Sequence, residues 1–134
     1  MPPLTELLAT ITDRLRPGGE PGNADDAVQV WNTVQARFAP LLGPMSTDLL
    51  FVRTLSEHAR DFPWLEACAA QGAPGDAFKA YVLCLGKLAP ADIEAANQTL
   101  LTSYIVYLSE LIGERLVTRF LASAFPSGAT GKNI

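Results

Sequence analysis

One histidine, two cysteines and a scatter of carboxylates are the side chains in this sequence that could do chemistry. His58 stands in Ser56-Glu57-His58-Ala59-Arg60-Asp61-Phe62-Pro63. An imidazole can carry a phosphoryl group or serve as an axial haem ligand, but beside Glu57 and Asp61 it reads first as a helix histidine among carboxylates. Cys68 and Cys84 have no metal-site or disulfide-framework spacing and read as reduced core cysteines. The carboxylates Asp25, Asp26, Asp92 and Glu94 sit where helices start, and no Glu-x-x-His pair occurs, which excludes a ferritin-type di-iron bundle. Gly128-Ala129-Thr130-Gly131-Lys132 lacks the spacing and the following Ser or Thr of a phosphate loop. The expectation is therefore no catalytic residue, no metal ligand, no cofactor and no enzyme. One binding option remains. Tyr81, Tyr104 and Tyr107, with Thr102 and Ser103, could line a pocket for a small apolar ligand between helices, although tyrosines at this spacing also suit a core or an interface.

The elements that would position these groups are all helical. The organising stretch runs from Pro90 to Phe125. Pro90 suits a first helical turn, and Asp92 and Glu94 suit the positive end of its dipole. Leu101, Ile105, Leu108, Ile112, Leu116 and Phe120 step by threes and fours, with Leu100, Tyr104, Tyr107 and Leu111 as a second row. This predicts a long central helix near residues 90–112, a break at Gly113, and a last helix from Glu114 to about Phe125. Upstream, Leu4, Leu8, Ile11 and Leu15 form one stripe of a short N-terminal helix (residues 1–16), and residues 17–22 form a Gly/Pro linker. That helix either packs back on its own bundle or docks on a second copy or a partner. The bundle spans residues 23–125. Asn23 is the expected cap of a helix with Val28, Trp31, Val34, Phe38 and Leu41 as its stripe. Gly43 is its left-handed stop, and Ser46 starts the next helix, which carries Leu49, Val52 and Leu55 on one face and which Pro63 halts at Phe62. Trp64 and Leu65 open a short helix to about Ala70. Asp76 caps another that carries Phe78, Tyr81, Val82, Leu85 and Leu88. Residues 126–134 read as a disordered tail. Leu41-Leu42-Gly43 and Leu111-Ile112-Gly113 form a faint internal echo, each joining an upstream helix to a downstream one.

The 134 residues make one all-α domain of six or seven helices, large enough to fold without metal or disulfide. Hydrophobic residues make up 49% and charged residues 18%. The charged share is below the usual ~25%, so more apolar surface than average must be buried or shared with a partner. The net charge is −4, and the ten Lys and Arg residues are scattered, which argues against nucleic acid as a partner. Polar residues between Asn97 and Ser109 interrupt the longest apolar stretch, so no membrane span is expected. Glu6 and Asp13 break any secretion leader, and the expected location is the cytoplasm.

Several short motifs carry a resemblance. Val30-Trp31, Phe38 to Gly43, Arg53 to Leu55, Phe62-Pro63-Trp64-Leu65, and Leu111-Ile112-Gly113 through Leu121 are similar to short all-helical bacterial proteins of uncharacterised function. Those proteins share Pro-Leu-Ile-Gly, Phe-Pro-Trp-Leu and Leu-Ile-Gly segments. The resemblance implies a compact helical domain serving a regulatory or signalling system, and it carries no catalytic residue. His58 with Pro63 also resembles the phospho-accepting box of sensor kinases, but Ala59 stands where that box has an acidic residue. The sequence thus reads as a non-catalytic module for protein–protein contact or self-association, with a homodimer as the expected form. Leu4, Leu8, Ile11, Phe62 and Trp64 are the candidate contacts. The alternatives are an apolar-ligand sensor at the three tyrosines and a phosphocarrier at His58.

Overall fold

The computed structural model describes residues 4–15, 23–69 and 74–125. Seven helices occur among them: α1 (Leu4–Asp13), α2 (Ala24–Leu42), α3 (Pro44–Glu57), α4 (Trp64–Ala69), α5 (Pro74–Leu85), α6 (Pro90–Ile112) and α7 (Glu114–Ala124). The all-α expectation holds. The linker at 17–22 and the tail at 126–134 lie outside the described residues.

Helix α2 starts as its sequence dictates. Asn23 accepts from the Asp26 amide at 3.1 Å, and the Asp26 carboxylate accepts from the Asn23 amide at 2.9 Å. This reciprocal capping box satisfies two amides that would otherwise lack partners. The helix then runs through Pro40 and ends at Gly43. Here the structure departs from expectation. Gly43 has φ 91° and ψ 148°, positive in φ but extended in ψ, so it is not a left-handed helical cap. Helix α3 begins at once with Pro44, not at Ser46. The Gly43 amide donates to the Ala39 carbonyl at 2.7 Å and closes α2, while its own carbonyl accepts from Thr47 at 3.2 Å and opens α3.

Gly113 repeats this joint. Its φ is 94° and its ψ 141°. Its amide donates to Ser109 at 2.9 Å, and its carbonyl accepts from Val117 at 3.2 Å. One residue therefore caps two helices at each corner, and no loop is needed. Only glycine adopts this φ at little cost. The echo between the two Leu/Ile-Gly segments is thus matched by equal backbone geometry.

The two corners lie at the same end of the bundle. The starts of α2 and α6 line one depression, with Asn23 to Asp25 facing Pro90 and Ile93, so these helices run in parallel. Helix α7 returns along α2: Phe38 stacks on Phe120 at 5.4 Å, and Phe125 lies beside Val30 and Thr33. Helix α3 returns along α6: Arg53 lies over Tyr107, and His58 meets Ser103. The core is a pair of helix–glycine–helix units packed together, with α4 and α5 set against α3 and with α1 set against α7.

Helix α6 supplies the centre, burying Ile93, Ala96, Asn97, Leu100, Leu101, Tyr104, Ile105 and Leu108. Leu111, expected in its second apolar row, is exposed instead. In α1 the deepest residues are Leu7 and Ile11, joined by Leu15 just after the helix, while Leu4 and Leu8 are half-buried. The apolar face is turned from the predicted stripe because Leu4, Leu7 and Leu8 allow two faces, and contact with α7 selects one. Helix α5 begins at Pro74, two residues before the expected Asp76 cap.

Candidate functional site

The polar core comes first, because it fixes what the tyrosines can do. Asn97 is fully buried. Its Oδ1 accepts from Trp31 Nε1 and from the Tyr81 hydroxyl, each at 2.6 Å, and its Nδ2 donates to the Ile93 carbonyl at 2.7 Å. Trp31 packs edge-on against Phe51, Tyr81 and Tyr104 at 5.0, 6.2 and 5.3 Å. The Tyr104 hydroxyl donates to the Thr47 carbonyl at 3.4 Å. Burial raises the pKa of both Tyr81 and Tyr104 well above the ordinary phenol value. The three tyrosines expected to line a ligand pocket sit in different settings. Two of the three rings are core, with hydroxyls engaged internally. Tyr107 is half-buried under the Arg53 guanidinium, 4.4 Å from its ring centroid.

His58 caps the C-terminus of α3. Its Nε2 lies 2.5 Å from Ser103 Oγ on α6, and its Nδ1 lies 3.9 Å from the exposed Asp61 carboxylate. The order Ser–His–Asp suggests acyl transfer. Ser103 itself sits mid-helix in α6, where its amide is engaged in the helix ladder. Phosphoryl transfer is poorly served. One ring nitrogen is occupied by Ser103, and Glu57 and Asp61 place negative charge near the incoming anion. The Ser103 partnership, 45 residues distant, has no sequence signal.

The candidate contact residues fall in two groups. In α1, Ile11 is fully buried and Leu4 and Leu8 pack partly against the core, so the helix docks on its own bundle. At the aromatic corner, Phe62 and Trp64 are half-buried, and Trp64 stacks on Tyr81 at 5.8 Å. The structure does not bring these five residues together into one surface.

The large apolar side chains that are exposed lie elsewhere. Leu41 is 46% exposed, Met45 62%, Leu49 53% and Leu111 61%; Leu83 and Val106 are exposed as well. Leu41 and Met45 flank Gly43 by two residues on either side. Leu49 is one turn beyond Met45 on the same face of α3, and Leu111 precedes Gly113 by two. Because the corners share one end of the bundle, these four exposed residues all lie in the helix turns near that end. Sequence reasoning assigned Leu41 and Leu49 to buried stripes and Leu111 to the second α6 row, and missed Met45 altogether.

Further along α3, Arg53, Ser56, Glu57 and Arg60 line an open depression of about 430 Å³. Among the described residues no group of three or more His, Cys, Asp or Glu could hold a metal ion, and no helix is long and apolar enough to cross a membrane. No family model, no curated protein and no solved structure matches the chain.

Proposed function

We propose that the protein is a non-catalytic helical interaction module whose apolar end receives another protein chain, a second copy in the first instance. One observation carries the reading: Leu41, Met45, Leu49 and Leu111 stand exposed at the end where both glycine corners lie. Scattered exposed apolar residues are ordinary, whereas a group of large ones at one end is the pattern of a protein contact. The paired corners at that end are alike in backbone and bonding. The setting of this reading is a regulatory or signalling assembly in the bacterial cytoplasm.

Sedimentation over a wide concentration range tests it. The wild-type chain is expected to move toward twice its mass as concentration rises, and Met45→Glu/Leu49→Glu is expected to stay monomeric with an unchanged helical spectrum. Both side chains are exposed, so each substitution should alter stability by no more than about 0.5 kcal/mol. A wild-type chain that stays monomeric at every concentration, or a double variant that associates equally well, sinks the proposal.

A further inference from the structure

The two cysteines, which sequence reading leaves as inert core residues, meet in space. Cys68 on α4 and Cys84 on α5 bring their sulfurs to 3.6 Å. Both are free thiols; Cys68 is buried and Cys84 is half-buried. The connection between the two helices is short, and α4 packs directly on α5. We propose that Cys68 and Cys84 form a redox-active pair, closing to an intrachain disulfide when the folded protein meets a small-molecule disulfide and reopening with a thiol reductant.

The geometry favours this pair over bonds between chains. A disulfide needs its sulfurs at about 2.05 Å, an approach of roughly 1.5 Å that side-chain rotation and a small helix adjustment can supply. The order of events follows from exposure. Cys84 reaches solvent, loses its proton and attacks one sulfur of the oxidant; a Cys84 mixed disulfide forms and one small thiol leaves. Cys68 then loses its proton and attacks Cys84 Sγ, displacing the second small thiol. Two protein thiols and one small disulfide become one protein disulfide and two small thiols, so atoms and electrons balance. Burial, reinforced by the neighbouring Cys84, pushes the Cys68 thiol up to about 12. Cys68 is therefore a poor attacking group at neutral pH, and resolution of the mixed disulfide limits the rate. That rate should rise about tenfold per pH unit as the thiolate fraction grows.

The closed bond would fasten α4 to α5 beneath the aromatic corner. Cys68 Sγ already lies 3.7 Å from the Trp64 carbonyl, and Trp64 stacks on Tyr81. The bond spans 16 residues of sequence. Cross-linking a loop of this size should raise Tm by on the order of 10 °C.

The test is to treat the reduced, folded chain with oxidised glutathione, quench with N-ethylmaleimide and record the intact mass. The expected product is a monomer lighter by two hydrogens, carrying neither glutathione nor maleimide, with a higher Tm that dithiothreitol reverses. Cys68→Ser should stop at one glutathionyl group on Cys84. The proposal is overturned if the wild type still holds that same adduct as the end product after prolonged incubation at alkaline pH, cross-links between chains, keeps both thiols open to maleimide, or melts lower after oxidation. The wild-type measurement decides the matter even if a serine variant fails to fold.

Discussion

Asn97 shows what one polar side chain does inside an apolar bundle. Its carbonyl oxygen is the shared acceptor for Trp31 and Tyr81, which come from two other helices, so it fixes the register of α2 and α5 against α6. Removing the acceptor leaves two buried donors without partners, and each such donor costs about 1–3 kcal/mol. Asn97→Leu keeps the volume close and should lower stability by about 2–4 kcal/mol in urea unfolding. A loss below about 1 kcal/mol would mean that water or a shifted side chain replaces the amide. The sequence hides this role. Asn97 reads as a polar interruption of the α6 stripe, and its partners lie 66 and 16 residues away. His58 with Ser103 and Cys68 with Cys84 are hidden in the same way. Each residue type is visible, but its partner is set by how helices cross.

Helices are more legible than pairings because their signals are local. The Asn23 cap, the stop at Gly43, the break at Gly113 and the Pro90 start can all be read from neighbouring residues. The errors also have local causes. The start of α3 was placed late because a stop signal suggests a loop, whereas Gly43 and Gly113 each end one helix and begin the next. The face of α1 was ambiguous because three leucines crowd its first turns. The joints carry a prediction of their own. A Cβ at Gly43 or Gly113 would meet nothing within 4 Å, so the cost of substitution is backbone strain alone. Gly43→Ala and Gly113→Ala should each lose about 1–3 kcal/mol, and by similar amounts, since the two geometries match. Gly86→Ala is the control. Gly86 has no positive φ, and its added Cβ would meet only the Leu83 carbonyl at ordinary contact distance, 3.5 Å. It should be neutral or slightly stabilising. Thermal unfolding of the three variants checks the pattern, and a Gly86→Ala loss equal to the other two would refute the strain argument.

For the whole molecule, the composition correctly signalled a helical domain with apolar surface to hide, but not where the unhidden part would lie. Leu41, Leu49 and Leu111 fit apolar stripes on paper but stand exposed in the fold. The same packing sets how the protein meets alkali. Its centre is an aromatic cluster in which Tyr81 and Tyr104 are fully buried, with Cys68 beside it. Burial raises the pKa of all three groups, from ordinary values of 10.0 for the tyrosines and 9.0 for the thiol. Each is neutral when protonated, so the fold holds its proton where the unfolded chain would release it. The stabilisation is fully present below the unfolded pKa and is lost as pH rises toward the folded one. Stability should therefore stay level through neutral pH and begin to fall near 9 as unfolded Cys68 ionises. Above 10 it should fall faster, each group contributing about 1.4 kcal/mol per pH unit. With three groups engaged, a domain of ordinary stability should be unfolded by about pH 12. Tyr104→Phe isolates one contribution, because the Tyr104 hydroxyl makes only the long bond to Thr47. That variant should lose less than about 1 kcal/mol at pH 7, and its stability should fall about one-third less steeply above pH 10. Urea midpoints measured from pH 7 to 11 give the slope directly, and an unchanged slope would show that Tyr104 ionises as readily in the fold as outside it.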